Sequence, residues 1–254
     1  MAGILEKLRL DGKVALVTGA SRGLGQAMAV ALADAGADVA AADIGESGTT
    51  RDCIRERGRK CEVVQADVVQ PGAAQLLIDK TLAAFGRLDI LVNNAGIIRR
   101  APLLDFVEKD CDDVMDVNIR AVFLISQAAA RVMVGQRSGR IINIASMLSF
   151  QGGIRVPSYT ASKSAVMGLT RLMACELAAH GINVNAIAPG YMATENTRAL
   201  REDPERNRTI LDRIPMGRWG VPEDLQGIVV FLASDASAYI NGYTIAVDGG
   251  WLAR

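Results

Sequence analysis

The sequence has few of the residues that build metal centres and disulfide frameworks. One histidine occurs in 254 residues, and the four cysteines are widely spaced with no C-x-x-C pair. The histidine, His180, precedes Gly181, and we interpret it as a helix-end or surface residue. We therefore expect no metal site, and we expect reduced thiols in a cytoplasmic protein.

Excess charge and long apolar runs are also missing. Basic and acidic residues balance at 28 each, which argues against nucleic acid as a partner. No uninterrupted apolar run approaches the ~18 residues of a membrane span. The first ten residues carry charges and lack the apolar centre of a signal peptide. We expect no membrane partner.

What the chain does contain is apolar residues, at 50% of the total, and 25 glycines. Short apolar runs typical of buried parallel strands alternate with helical patterns along the whole length. No linker or repeat interrupts them. The sequence predicts a single doubly wound α/β domain over residues 1–254.

The first strand pattern, residues 13–18, runs directly into a glycine-rich turn and then a helix at 26–35. Glycines permit a tight turn and close backbone approach, and a helix N-terminus offers unpaired N–H groups to an anion. This order predicts a nucleotide phosphate site. The turn residues assigned to it are Gly19, Ser21, Arg22, Gly23, Leu24 and Gly25.

The second strand pattern ends at Asp43, eighteen residues after Gly25. An acid there accepts hydrogen bonds from the ribose hydroxyls and repels a 2′-phosphate, which favours NAD over NADP. Arg22 indicates the opposite, because a guanidinium in the turn is able to reach such a phosphate. NAD is the expected cofactor, with NADP left open.

Two later strand patterns also end in polar residues. The third predicted strand, 62–68, ends at Asp67 and Val68, where the acid either binds the adenine amino group or caps the next helix. The fourth, 88–92, is followed by Asn93, Asn94, Ala95 and Gly96. Carboxyl ends of parallel strands face the ligand crevice in doubly wound folds, although asparagines in this position also stabilise plain turns.

Tyr159 and Lys163 lie four residues apart and so share one face of a predicted helix. A free phenol has a pKa near ~10, and a neighbouring positive charge favours its ionised form. The fifth strand pattern, 140–145, delivers Ser146 at its end. A hydroxyl facing a Tyr–Lys helix is suited to hold a carbonyl oxygen while a proton is exchanged.

Several other residues are candidates for substrate contact. Arg99 and Arg100 follow the fourth strand, and a guanidinium there is able to bind a carboxylate or to lie on the surface. The loop 151–157 carries Gln151 and Arg155, and Tyr191 follows the sixth strand. The charged helical stretch after it, near 191–218, is a predicted lid. Asn118, inside an apolar helix, is either a kink or part of a polar relay.

Together these motifs resemble the short-chain dehydrogenases/reductases over essentially the whole chain. The residues that carry the resemblance are the Thr18-Gly19 turn with Gly23 and Gly25, Asn93 to Gly96, Asn118, Ser146, Tyr159, Lys163, Pro189 and Gly190. The resemblance implies a Rossmann-type sheet of seven parallel strands and a homotetramer. It also implies cofactor contacts from Tyr159, Lys163, Pro189, Gly190, Met192 and Thr194.

The resemblance also implies roles for four catalytic residues. Tyr159 is the expected acid/base and Ser146 polarises the substrate oxygen. Lys163 is expected to lower the tyrosine pKa and bind the nicotinamide ribose, and Asn118 to hold a relay water.

A narrower resemblance, in residues 94–100, 146–158, 189–194 and 247–254, is to members of the family that act on deoxy sugar acids. The acidic substrate agrees with an arginine, Arg99 or Arg155, pairing with a carboxylate. Three alternatives stay open: a related gluconate dehydrogenase, a 3-oxoacyl thioester reductase, and a non-catalytic NAD-sensing protein.

Overall fold

The computed structural model describes residues 3–254. Seven parallel strands form one sheet in the order β3-β2-β1-β4-β5-β6-β7. This order confirms the predicted doubly wound α/β fold. The strands are β1 (Val14–Thr18), β2 (Asp38–Asp43), β3 (Cys61–Gln65), β4 (Ile90–Asn93), β5 (Gly139–Ile144), β6 (Ile182–Pro189) and β7 (Thr244–Val247).

Helices cover both faces of this sheet. They are α1 (Ile4–Lys7), α2 (Gly23–Asp34), α3 (Gly48–Glu56), α4 (Ala73–Phe85), α5 (Glu108–Met115), α6 (Ala121–Gln136), α7 (Pro157–Leu177), α8 (Arg198–Glu202), α9 (Pro204–Leu211) and α10 (Gln226–Ala233). A π-helical turn, Asp116–Arg120, joins α5 to α6. By length and composition the joined stretch Glu108–Gln136 could cross a membrane, yet half of its most apolar window is buried inside the protein.

The central strand β1 shows why the fold has two cores. All five of its residues are buried. Ala15 and Val17 pack into the core formed with α2 and α10, whereas Leu16 packs into the core formed with α4, α6 and α7. Successive side chains of a strand point to opposite faces, so a strand covered on both sides is apolar throughout.

A layer of hydrogen-bonded polar side chains lies inside the second of these cores. Asn93 and Asn143 are paired neighbours on β4 and β5, and the Asn93 Nδ2 donates to Asn143 Oδ1 and to Ser126 Oγ at 2.8 Å each. Asn143 Nδ2 donates to Thr170 Oγ1 at 2.9 Å. Because the four side chains are buried, these bonds fix two strands against α6 and α7 in one arrangement.

Some element boundaries differ from the sequence predictions. The expected helix across 107–134 is broken by the π turn at Asn118. The third strand ends at Gln65, two residues before Asp67, since Asp67 turns to accept the Val69 N–H. Helix α3 was not predicted, because only Thr50 and Ile54 of its nine residues are buried.

Candidate active site

A cavity of about 680 Å³ lies at the carboxyl edge of the sheet. Most of the predicted site residues line it, and they come from the carboxyl ends of six strands and from helix α7. The predicted residues on its wall are Gly19, Ser21, Arg22, Gly23, Leu24, Gly25, Asp43, Asp67, Asn94, Ala95, Gly96, Arg99, Ser146, Tyr159, Lys163, Pro189, Gly190, Met192 and Thr194, together with Val68.

Four predicted residues lie off this wall. Asn118 is buried behind it. Gln151 is held by Arg213, whose Nη2 donates to its Oε1 at 3.2 Å, and the Arg155 side chain is exposed on the loop before α7. Tyr191 lines a smaller neighbouring cavity of about 230 Å³. Sequence position alone therefore did not separate cavity residues from their neighbours in these loops.

The glycine turn is packed too tightly for any side chain at two of its positions. A Cβ added to Gly25 would lie 2.0 Å from the Gly19 carbonyl oxygen and 2.4 Å from Asn94 Nδ2. Gly19 itself has a φ of +65°, which strains other residues. Helix α2 starts at Gly23 with no side-chain cap, so its first N–H groups face the cavity and are free to bind an anion.

Thr18 connects the glycine turn to the loop after β4. Its hydroxyl oxygen accepts hydrogen bonds from the backbone N–H groups of Asn94 and Ala95, both at 3.1 Å. In return, Asn94 Nδ2 donates to the carbonyl oxygens of Thr18 and Gly19 at 3.0 Å each. The asparagine thus holds the two loops together beneath the cavity.

Asp43 stands at the end of β2 on the same wall. One carboxylate oxygen accepts the Ser21 N–H at 2.9 Å and the other accepts the Gly45 N–H at 3.0 Å. Arg22 lines the cavity beside it, with an extended backbone as the residue before α2. Asp43, which favours NAD, and Arg22, which favours NADP, therefore lie in the same region of the cavity wall.

Ser146 and Tyr159 meet at the other end of the cavity. Ser146 follows β5, is buried, and its hydroxyl accepts the Leu148 N–H at 3.2 Å. Tyr159, on α7, lines the same cavity as Ser146. Burial raises the pKa of Tyr159 above its ordinary value, while the Ser146 side chain and the charge of Arg100 oppose the rise.

Lys163 lies one turn after Tyr159 on α7 and is buried. Its Nζ donates to the Ile144 carbonyl oxygen at 2.6 Å and lies 5.7 Å from the centroid of the Tyr159 ring. Burial lowers the pKa of Lys163 to about 8. The expected lowering of the tyrosine pKa by Lys163 stays a prediction, because the shift in this structure comes from burial, which raises the pKa, and from Ser146 and Arg100, which lower it.

Asn118 sits in the π turn, a feature frequent at functional sites. Its Oδ1 accepts the Ile97 N–H and its Nδ2 donates to the Ile97 carbonyl, both at 2.9 Å. The Nδ2 also donates to Ser162 Oγ at 3.2 Å, and Ser162 Oγ donates to the Tyr159 carbonyl at 2.8 Å. The side chain therefore couples the loop after β4 to the helix that carries Tyr159.

The segment after β6 covers one side of the site. Tyr191 packs edge-on against Trp219 and Trp251, at centroid distances of 5.3 and 4.9 Å. The Arg213 guanidinium lies 4.1 Å from the Trp251 ring. Between these aromatics run α8 and α9, and residues 194–197 before them line the main cavity.

Sequence reasoning underweighted two contributors to the cavity wall, Arg100 and Asn196. Arg100 adjoins Arg99 in the sequence, and only the tertiary contacts separate their roles. Asn196 carried no motif at all. No cluster of three or more His, Cys, Asp or Glu side chains suited to a metal ion occurs within residues 3–254.

Comparisons with known proteins agree with this geometry. The chain is 61% identical over 252 residues to 2-dehydro-3-deoxy-D-gluconate 5-dehydrogenase of Dickeya dadantii, covering 99% of this chain and all of that one. A putative 2-deoxy-d-gluconate 3-dehydrogenase from Agrobacterium tumefaciens, solved with bound NADP, is 54% identical with a TM-score of 0.92 and coverage of 98% and 99%. A gluconate 5-dehydrogenase from Burkholderia cenocepacia, in complex with NADP and tartrate, is 41% identical with a TM-score of 0.95 and coverage of 99% and 100%.

A family model described as Enoyl-(Acyl carrier protein) reductase matches residues 19–252. This match extends from the glycine turn to the C-terminal segment, so it includes every residue on the cavity wall. It confirms the resemblance found in the sequence motifs, and the chain belongs to the short-chain dehydrogenase/reductase family.

Proposed function

We propose that this protein is an NAD(P)-dependent dehydrogenase that acts on a deoxy sugar acid of the 2-dehydro-3-deoxy-D-gluconate type. The observation that carries the proposal is one cavity with a phosphate-binding helix N-terminus at one end and the Ser146–Tyr159 pair at the other. The relative that is 61% identical over the full length supports the substrate class. Solved relatives with bound NADP support the cofactor class.

The glycine turn fits a dinucleotide. Its uncapped helix N-terminus suits a pyrophosphate, and Gly25 leaves no room for a side chain between the turn and the Gly19 carbonyl. Asp43 would hold the adenine-side ribose, and Lys163 the ribose nearer Tyr159. When bound, the nicotinamide supplies the acceptor or donor of the hydride.

The chain's own residues handle the proton. In the oxidative direction the Tyr159 phenolate takes the proton of the substrate hydroxyl, and in the reductive direction the phenol returns it. Ser146 donates a hydrogen bond to the substrate oxygen. Lys163, charged below about pH 8, stabilises the phenolate from its position one turn away. Asn118 holds the loop 96–98 against α7. It would also hold a water molecule that relays the proton.

Residues 191–218 would act as a lid over the substrate, and their exposed charges and short helices suit a segment that moves. We further infer a cytoplasmic homotetramer. Exposed apolar side chains on α6 and α7, namely Phe123, Leu124 and Leu172, support an assembly of this kind because they share no cover within the described chain.

A gluconate dehydrogenase is the second candidate, because a gluconate 5-dehydrogenase is 41% identical to this chain over nearly its whole length. The test is the initial rate of NAD⁺ and NADP⁺ reduction with 2-dehydro-3-deoxy-D-gluconate, D-gluconate and a 3-hydroxyacyl thioester. Higher kcat/KM for the deoxy acid supports the proposal. Higher kcat/KM for gluconate or the thioester supports that rival instead, and cofactor binding without any turnover indicates a sensing role.

A further inference from the structure

Two adjacent arginines on the cavity wall differ in their partners. Arg99 is committed to helix α5, with its Nε 3.4 Å from Asp110 Oδ1 and an Nη2 4.0 Å from Asp113 Oδ2. Arg100 forms no ion pair with any acid in residues 3–254. Its one hydrogen bond is from Nη2 to the Asn196 carbonyl oxygen at 3.1 Å. Most of the Arg100 donors are therefore free.

Arg100 lines the same cavity as Ser146 and Tyr159. Its charge lowers the pKa of Tyr159 and also that of Tyr191, in each case against the larger effect of burial. The Arg100 charge therefore lies within electrostatic reach of both phenols.

The backbone on both sides of Arg100 is fixed. Ile97 is held by the amide of Asn118, and the Ala101 N–H donates to the Arg155 carbonyl at 3.1 Å. Arg155 has a φ of +65°, a backbone conformation that is unfavourable for a residue other than glycine. The strained backbone at Arg155 indicates that the segment carrying Arg100 is held in one position. Less conformational entropy is then lost when this segment binds a ligand.

We propose that Arg100 is the carboxylate-binding residue of the substrate site and that it makes the enzyme selective for sugar acids over neutral polyols. The inference rests on the proposed function. A guanidinium presents parallel N–H groups that match the two oxygens of a carboxylate. The Asn196 carbonyl accepts one N–H group of the Arg100 guanidinium, and the other N–H groups are then oriented towards the cavity. Arg100 would therefore contact both the proposed lid, through Asn196, and the substrate carboxylate.

This assignment replaces the two arginines that the sequence favoured. Arg99 already has carboxylate partners, so a substrate would have to compete with Asp110 and Asp113. The Arg155 side chain is exposed and off the cavity wall, and its main contribution is the carbonyl that anchors Ala101. Arg155 thus helps to position Arg100 and does not itself contact the substrate.

The experiment compares an acid with its neutral analogue in several variants. Wild type, Arg100→Ala, Arg100→Lys and Arg99→Ala are assayed with 2-deoxy-D-gluconate and with its primary amide, at saturating NAD⁺ or NADP⁺. The readout is the ratio of the two kcat/KM values. This ratio cancels any effect of Arg100 on the Tyr159 pKa or on the Asn196 segment, because both substrates meet the same phenol and the same loop.

We expect Arg100→Ala to lower the acid-to-amide ratio by about 100-fold, the loss typical of a charge-assisted pair. Arg100→Lys should restore about a tenth of the wild-type ratio, since an ammonium keeps the positive charge but lacks the two parallel N–H groups of a guanidinium. Arg99→Ala should change both substrates in parallel. Tight binding of NADH, followed by its fluorescence, shows that each variant is folded.

A ratio unchanged in Arg100→Ala overturns the inference, and a ratio lost only in Arg99→Ala assigns the carboxylate to Arg99. Failure of the proposed function would be seen in the wild-type enzyme and not in a comparison of variants. In that case the wild-type enzyme itself shows no turnover of 2-deoxy-D-gluconate or 2-dehydro-3-deoxy-D-gluconate, and the variants are not needed to see it. Both proposals are then overturned.

Discussion

The ammonium of Lys163 donates a 2.6 Å hydrogen bond to the main-chain carbonyl of Ile144 at the end of β5. No acid pairs with it in residues 3–254, although the side chain is buried. A buried cation with one neutral partner is unfavourable for folding. The position of Lys163 therefore serves the chemistry of the site and lowers the free energy of unfolding.

We expect Lys163→Met to raise the stability of the cofactor-free protein at pH 7 by about 2 kcal/mol while abolishing activity. The folded pKa of about 8 lies below the unfolded value of 10.5, so the unfolded chain holds the proton more tightly. The cost of burial is full below pH 8 and disappears as the pH rises towards 10.5. Urea denaturation at pH 7 and pH 10 measures it, and equal gains at both pH values would contradict this origin.

Tyr159→Phe should lower kcat by at least about 10³-fold, because the group that exchanges the proton is removed. Cofactor affinity should stay within a few-fold of wild type. Ser146→Ala serves as the comparison, since it leaves the phenol and removes the hydroxyl that opposes its raised pKa. Stopped-flow turnover and NADH fluorescence separate the two effects, and residual turnover of a tenth or more in Tyr159→Phe would exclude this base.

The raised pKa of Tyr159 predicts opposite pH dependences for the two directions. Oxidation requires the phenolate, whose fraction rises about tenfold per pH unit below the pKa, so kcat/KM for oxidation should climb from pH 6 to pH 9. Reduction requires the phenol, which stays protonated across this range. Paired pH profiles of the two directions are the measurement, and an oxidation rate independent of pH would show that another group takes the proton.

Asp43 and Arg22 should shift cofactor preference in opposite directions. Asp43→Asn keeps the size of the side chain and one oxygen that accepts either the Ser21 or the Gly45 N–H group, but it removes the charge that repels a 2′-phosphate. We expect the NADP-to-NAD ratio of kcat/KM to rise about tenfold, and Arg22→Ala to lower it. Steady-state kinetics with both cofactors tests this pair, and an unchanged ratio in both variants would assign the choice to the turn backbone.

Gly25→Ala should abolish cofactor binding and destabilise the protein, because its Cβ would overlap the Gly19 carbonyl oxygen at 2.0 Å. The matched control is Gly135→Ala in α6, where an added Cβ meets nothing within 4 Å. That change should be neutral or stabilising by about 0.5–1 kcal/mol. Thermal unfolding and NADH titration give both answers, and retained NADH binding by Gly25→Ala would contradict the packing argument.

The fold was largely predictable because strands buried on both faces leave an unambiguous apolar pattern, as in β1. Helix α3 escaped prediction since its residues are mostly polar and only two of the nine are buried. The glycine turn, Ser146, Tyr159 and Lys163 were found because their spacing along the chain reflects a local turn or one helix face. The substrate side was harder. Whether Arg99 or Arg100 is free depends on Asp110 and Asp113, whose position on α5 no local pattern reveals.

The amide layer of Asn93, Asn143, Ser126 and Thr170 has a consequence for folding. Apolar strands in a parallel sheet can slide past one another with little change in hydrophobic contact, so burial alone defines their register poorly. A slip of one residue between β4 and β5 would turn the Asn143 side chain to the other face of the sheet, where it would lose its bonds with Asn93 and Thr170 in a dry interior. The two asparagines therefore make a misaligned sheet less stable, and they favour the one register that aligns the strand ends next to the cavity.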